Sequence, residues 1–454
     1  MPQDVGSAEP VPDVRAAASR TDVGRDLARA LAVLGPLRDI LENRVDDAAP
    51  PAWCEERGWT TFLTGLDDRE LERCEAEGLP ACVDLLARAP ASLATLALEV
   101  SEAVHLPTCR AGELTLSRSS LHAVPLRKRL QLEALLGAVR PMAERACRIV
   151  DVGAGHGHFT RIAAGIFDKE ALGLERVASR VAAASALASV AQGATGASVA
   201  TSVVGTTGAI GARFIEFDAC REELVFAPDD LAVGLHACGD VGDRMIVAAG
   251  RAGCDLALVS CCLQKVAATS RAPLSRMAAE AGMTLRREML GLTNLAARAR
   301  GVETSLVATM EARRARHALA GLLRGRGIPI APGEEMRGIN RRQARAGLGP
   351  IAARALAIRG LAPPTDAEIR DHDAASHRQF ALIRRLSLPR SMLARLTEVA
   401  VVLDRAVALQ ERGHHVVAAI LLDAAATPRN IALFASPSSA RLPALSALSA
   451  LSAL

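Results

Sequence analysis

Between Cys147 and Cys262 short apolar runs alternate with helical segments, and this alternation restricts the fold more than any other feature of the chain. The runs are RIVDVGA, EALGLE, ARFIEFDA, DLAVGLHACG and CDLALVSCC; between them lie HFTRIAAGIF, RVASRVAAASALASVA and VGDRMIVAAGRAG. Apolar runs this short, bounded by Gly and Asp, suit buried strands better than helices. Neighbouring parallel strands need a crossover, and a crossover helix packs back onto a twisted sheet with one hand. The order therefore predicts an α/β fold with a parallel, doubly wound sheet. Two later runs, HHVVAAILLDA and RNIALFAS, are joined by Ala-Thr-Pro, a short turn that suits an antiparallel hairpin at the sheet edge and brings the strands to seven.

The flanks read differently. Residues 1–24 are rich in Pro, Asp and Ala and are expected to be disordered. Residues 25–120 read as a helical N-terminal domain, with apolar positions at helical spacing through 25–107. Asp67 and Asp68 stand where a carboxylate can accept the free N–H groups of a helix start. The α/β core spans 121–266 and opens on the amphipathic RLQLEALLGAV. Residues 267–400 form a helical, Arg-rich insertion, and 401–437 return the last strands. The tail, 438–454, repeats Leu-Ser-Ala every three residues, which fits neither the ~3.6 nor the ~3.5 helical period, so it is read as dispensable.

Composition bounds the rest. A chain of 454 residues has room for two to four domains and a large core. It holds 51 Arg, 3 Lys and no Tyr, a skew most simply explained by genomic base composition, so one Arg says little about function. Ten Cys are scattered through periodic segments, and MPQDVGSAEPVPDV has neither a basic n-region nor an apolar h-region, so they read as reduced thiols of a cytoplasmic protein. The uncharged stretch from Val181 to Ala212 is long enough to cross a membrane. Its Ser, Thr, Gly and Gln favour a helix and loop, and no membrane association is expected.

CRIVDVGAGHGHFT ends its strand in glycines, which deliver bare backbone to a ligand. A phosphate-cradling loop needs Lys followed by Ser or Thr, whereas Phe159 and Thr160 follow His158. A dinucleotide fingerprint needs a third glycine where His158 stands. Gly153, Gly155 and Gly157 suit S-adenosylmethionine better, because its amino-acid end carries no phosphate and can lie against main chain. Asp151 would face the ammonium. Glu175, eighteen residues past Gly157, would accept hydrogen bonds from the ribose diol, and Asp218, closing the third strand, would lie by the adenine amino group.

The fourth and fifth strands run into Leu235-His236-Ala237-Cys238-Gly239-Asp240 and Ser260-Cys261-Cys262-Leu263-Gln264-Lys265. Both ends border the crevice that the methyl group would face. His236 is the candidate general base, and Asp240 would orient it or the acceptor. Cys261 and Cys262 would line the acceptor pocket, or one would act as a nucleophile if its thiolate is stabilised. His236, Cys238, Cys261 and Cys262 also offer four soft ligands for zinc. Structural zinc sites usually use Cys-x-x-Cys loops, and adjacent cysteines on a strand point to opposite faces, so no metal is expected. Cys220 and Cys254 read equally well as buried thiols packing as small hydrophobes.

VDVGAGHGHFT, GLHACGD, SCCLQK and TPRNIALFA, in this order, resemble the methyltransferase-like family grouped with rRNA adenine dimethylase domain-containing proteins. More distantly they resemble tRNA acceptor-stem 2′-O-methyltransferases. GWTTFLTGLDDRELERCEAEGL resembles the helical lead-in of the family's bacterial members, so the likeness spans most of 50–436. It implies a Rossmann-like, class I S-adenosylmethionine-dependent methyltransferase, with Gly153, Gly155 and Gly157 as the cofactor loop, Glu175 as the ribose acid and His236–Asp240 as the motif after strand four. The chain departs from eukaryotic relatives in carrying His156 where they commonly have Lys. It also lacks the Cys/His zinc-finger motifs of the tRNA enzymes.

Residues 296–395 hold 19 Arg against 8 Asp plus Glu, a surplus that would neutralise phosphates and makes RNA the first candidate acceptor. Two alternatives stand beside it. In one, a small molecule or protein is the acceptor and the insertion is a lid; in the other, the protein binds the cofactor without turnover.

Overall fold

The computed structural model describes residues 22–112, 114, 116, 121, 124–193, 211–296, 306–331, 333–423, 427 and 429–446. Its main sheet has seven strands: β1 Arg148–Val152, β2 Glu170–Glu175, β3 Ala212–Glu216, β4 Asp230–Ala237, β5 Asp255–Ser260, β6 His415–Ile420 and β7 Ile431–Ser436. They lie in the order β3-β2-β1-β4-β5-β7-β6. The first five are parallel, and β7 runs antiparallel to both β5 and β6. This is the expected mainly parallel, Rossmann-like sheet, and the helices His158–Phe167 and Asp240–Ala252 fall on the expected segments. The strand order reverses between β1 and β4, and such switch points open a ligand crevice at the carboxyl ends of the strands.

Both faces of the sheet are covered, which is why β4 and β5 can be apolar almost without alternation. Leu132, Leu135 and Val139 of the helix Leu126–Ala143 pack with Phe159 and Ile162 on one face. The other face is built around the helix Leu388–Gln410, where 18 of 23 residues are buried, as a core helix requires. The N-terminal helices Val23–Leu34 and Ala91–Ala103 share that core through Leu27, Leu93 and Leu96. Within the insertion, Leu319, Leu322, Ile351 and Leu356 form a separate small core.

Asp67 behaves as expected: its Oδ1 accepts the Glu70 N–H at 2.8 Å and Glu70 Oε2 accepts the Asp67 N–H at 3.0 Å, a capping box. Asp68 is instead the first helical residue and accepts a hydrogen bond from Arg385 at 2.8 Å. Three differences from the sequence reading have local causes. The first helix begins at Val23, inside the stretch expected to be disordered, because the Asp22 side chain accepts the Arg25 N–H at 3.1 Å; residues 1–21 lie outside the described residues. The start of the tail is also tied down: Ala444 accepts the Arg110 N–H at 2.9 Å and Thr108 accepts the Ser446 N–H at 2.9 Å. Ser270–Arg271 and Leu285–Arg286 pair as a two-stranded ribbon, too short to leave a periodicity in the sequence. Among the described residues no helix is long and apolar enough to cross a membrane.

Candidate cofactor and active site

The glycine turn leaves β1 at Val152 and enters the next helix at His158. Gly153, Gly155 and Gly157 have φ of 80°, 60° and 70°, the left-handed region that other L-residues enter only at a cost. Gly157 has a second reason to be glycine, since a Cβ there would collide with the Phe214 ring and Ala184. Glu175, at the end of β2, is buried and braces the loop: Oε2 accepts the Gly155 N–H at 2.9 Å and Oε1 accepts the Val177 N–H at 3.0 Å. Each carboxylate oxygen keeps a second lone pair, so the same group can also receive a ribose hydroxyl.

Asp151 is 2% exposed and its Oδ2 accepts the Thr160 hydroxyl at 2.6 Å. Burial pushes its carboxyl up to about 6, against the opposing pull of the Thr160 hydrogen bond and the Lys128 ammonium. A buried carboxyl held near neutrality suits a ligand that brings its own cation. Asp218 lies beyond β3, which ends at Glu216, so it sits on a turn and not at the strand's last position. That turn is set by the Asp218 N–H donating to Glu222 at 2.6 Å and by Asp218 Oδ1 accepting the Cys220 N–H at 3.0 Å.

At the switch point β4 carries a bulge. Leu235 pairs with Val259 and Ala237 with Ser260, so His236 is an extra residue, with φ at 72°. A bulge beside a crevice re-aims one side chain, and a histidine with positive φ is an uncommon conformation held by its surroundings. His236 Nε2 lies 2.9 Å from Gln131 Oε1 on the helix Leu126–Ala143. That contact fixes the direction of the imidazole, one of whose ring nitrogens is basic when the ring is neutral.

Gln131 thus orients the His236 ring, and Asp240 is engaged with the loop after β5. Asp240 Oδ2 accepts the Ala267 N–H at 2.6 Å, and the Asp240 N–H donates to the Lys265 carbonyl at 3.2 Å. That carboxylate is drawn to the loop after β5 because Gly239 brings the two loops into contact; a Cβ on Gly239, whose φ is 48°, would collide with the Lys265 carbonyl.

The expectation that Cys261 and Cys262 face opposite ways is also overturned. β5 ends at Ser260, so both residues lie past the pleat and follow the turn. The Sγ atoms of Cys238, Cys261 and Cys262 all lie within 4.8 Å of one another, and the His236 ring is not part of that group. The thiols of Cys238 and Cys261 donate to the His236 carbonyl at 3.3 and 3.0 Å. The neighbouring Cys238 and Cys261 thiols, aided by Lys265 and Arg429, hold the Cys262 thiol far below its ordinary range, while Cys238, Cys262 and burial push Cys261 up. Cys254 is buried, with its thiol pushed up to about 12 by burial. Cys220 is exposed and does not share that core role, because the turn after β3 turns it outward.

Sequence reasoning missed the group that fixes both loops. Arg405, whose side chain is 1% exposed, donates to Ser260 Oγ at 2.6 Å, to the Gly239 carbonyl at 3.0 Å and to Asp243 Oδ1 at 2.7 Å. Arg271 bridges Asp243 and Asp404, each at 2.8 Å. Burial alone would raise Asp243, but the two guanidiniums hold it below the usual carboxylate range. The available signal was an Asp-Arg pair inside VAVVLDRAVAL, charges that an all-round apolar helix tolerates only when paired.

The mainly parallel seven-stranded sheet, with a glycine turn after β1 and an acid ending β2, is a Rossmann-like methyltransferase fold. Residues 127–269 match the family model of a methyltransferase domain. No curated protein matches the chain. Similar solved structures include magnesium protoporphyrin IX methyltransferase from Synechocystis PCC 6803 with bound SAH, at 13% identity and a TM-score of 0.23, covering 32% of this chain and 61% of that one. An O-methyltransferase from a polyketide synthase multienzyme of Brevibacillus brevis, in complex with S-adenosyl-L-homocysteine, has 13% identity, a TM-score of 0.21 and coverages of 34% and 52%. A cyclopropane synthase from Mycobacterium tuberculosis has 12% identity, a TM-score of 0.24 and coverages of 72% and 87%. The match thus spans 61% and 52% of the length of the first two proteins.

Proposed function

We propose that this protein transfers the methyl group of S-adenosylmethionine to an RNA acceptor. The cofactor supplies a methyl group activated by a sulfonium. Gly153, Gly155 and Gly157 would lie against its amino-acid end, Asp151 would face the ammonium, and Glu175 and Asp218 would receive the ribose and adenine. His236 would take the proton that an acceptor hydroxyl or amine loses as it is methylated. The resemblance to the family grouped with rRNA adenine dimethylase domain-containing proteins points the same way, and ten free thiols suit a cytoplasmic setting.

The observation that carries the RNA reading is the arginine surface of the insertion. Arg314, Arg316, Arg326, Arg384, Arg385 and Arg395 pair with carboxylates of the chain. Arg324, Arg337, Arg342, Arg354, Arg370 and Arg378 are exposed. Exposed cations of this kind neutralise phosphates and release counterions, so binding should weaken steeply with salt. With no Tyr and 8 Phe in the chain, contact would be made to the backbone more than by base stacking.

The test is incubation with radiolabelled S-adenosylmethionine and fractionated cell extract, with retention on bulk tRNA and rRNA measured across salt. Label in an RNA fraction, with retention lost as salt rises, supports the reading. Label confined to metabolites or protein, or no retention at low salt, overturns RNA as the acceptor.

A further inference from the structure

Cys238 follows the bulge of β4, and Cys261 and Cys262 follow the end of β5; their three Sγ atoms lie within 4.8 Å of one another. We infer that these three thiols form a binding site for a thiophilic divalent cation, zinc, with a fourth coordination position open toward the crevice. Methyl transfer by itself needs no metal, so this site stands apart from the choice of acceptor.

Three observations carry it. Thiolates at about 2.3 Å around a tetrahedral zinc stand about 3.8 Å apart, so sulfurs already this close reach the geometry by small side-chain rotations. The loops that hold them are fixed independently. Arg405 ties the Gly239 carbonyl to Ser260 Oγ, Asp240 caps Ala267, and the Lys265 N–H donates to the Cys262 carbonyl at 3.0 Å. Gathering the ligands thus costs little further ordering.

The thiols, finally, have poor partners of their own. Cys238 and Cys261 share one carbonyl oxygen as weak S–H donors, an arrangement that loss of the protons to a metal would replace. Among the described residues this is the one His/Cys/Asp/Glu group of three or more whose ligand atoms lie this close, and no fourth such ligand joins it. Three protein ligands with an open position are the pattern of sites where a metal meets water or substrate, whereas structural sites close with four.

The experiment titrates zinc, and separately cobalt(II), into the reduced, metal-free full chain without cofactor or RNA. One zinc per chain is expected, with a near-ultraviolet thiolate-to-cobalt charge-transfer band in the cobalt form. Cys238→Ser, Cys261→Ser and Cys262→Ser should each weaken zinc by more than about 100-fold, beyond what loss of an outer-shell partner costs. Cys147→Ser and Cys220→Ser, at exposed positions, should leave it unchanged. In the unmutated chain, zinc should protect Cys238, Cys261 and Cys262 from iodoacetamide, and a chelator should restore their labelling. This readout stands even if a serine variant misfolds. No zinc uptake by the reduced chain, or equal alkylation with and without zinc, overturns the site. Failure of the RNA reading would change none of these measurements.

Discussion

Arg405 donates to the carbonyl of Gly239 at 3.0 Å from a helix that lies outside the 127–269 methyltransferase match. The same guanidinium reaches Ser260 and Asp243, so one buried cation joins the ends of β4 and β5. Arg405→Leu leaves Asp243 with Arg271 as its remaining guanidinium and orphans two buried acceptors. Breaking a buried pair in this way costs about 3–5 kcal/mol. The expected result is a lower urea midpoint. Arg405→Lys should recover only part of it, because an ammonium has no planar fork to reach three acceptors. A midpoint unchanged in Arg405→Leu would show that the loops hold without it.

The cofactor cradle can be tested without knowing the acceptor. A ligand at 100 times its Kd stabilises a fold by about 2.7 kcal/mol, which a thermal shift with S-adenosylhomocysteine reads directly. Gly155→Val forces a β-branched residue to φ near 60°, and Glu175→Ala removes the acceptor of the Gly155 N–H at 2.9 Å. Both variants should lose the shift; if both keep it in full, the ligand lies elsewhere.

His236 should separate binding from turnover. His236→Asn keeps a residue that tolerates positive φ and removes the base, and His236→Ala removes both. Each should lower kcat by roughly 10²–10⁴, the usual contribution of a general base, while cofactor affinity stays within about twofold. Gln131→Leu should move the pH profile of kcat, because the 2.9 Å contact to Nε2 that orients the ring is gone. Full activity in His236→Ala would exclude His236 as the base.

Asp151 makes two opposite pH dependences. Its folded pKa, about 6, lies above the ordinary carboxylate value, so its stabilising contribution is present at low pH and is lost as pH rises through about 6. Asp151→Asn should flatten that fall in stability between roughly pH 4 and 6. Cofactor affinity should run the other way. An ammonium prefers the ionised carboxylate, so affinity for S-adenosylhomocysteine should climb about tenfold per pH unit up to about 6 and then level. Affinity that is flat with pH in the unmutated chain would place the ammonium elsewhere.

The seven strands, the antiparallel hairpin and the glycine loop were legible because each depends on local rules: run length, turn residues, and positions where backbone sits at φ of 60° to 80°. The position of Glu175 at the end of β2 was legible because a strand's end in a parallel sheet is set by counting from the glycines. The bulge was not. Nothing in LAVGLHACG marks His236 as unpaired; the mismatch appears only when β4 is laid against β5. For the same reason Gln131 and Arg405, 105 and 162 residues from His236 and Asp243 in sequence, carried no motif of their own.

By itself the sequence determined the order of elements, the glycine turn and the set of side chains available at the crevice, because those follow from backbone preference and burial along a single segment. Tertiary structure alone decided how these side chains are used. It set Asp240 against the Ala267 N–H, gathered Cys238, Cys261 and Cys262, and set Arg405 beneath two loops. Those outcomes depend on where one strand stops relative to its neighbour and on which distant helix fills the space below. Such relations arise only when the chain closes on itself.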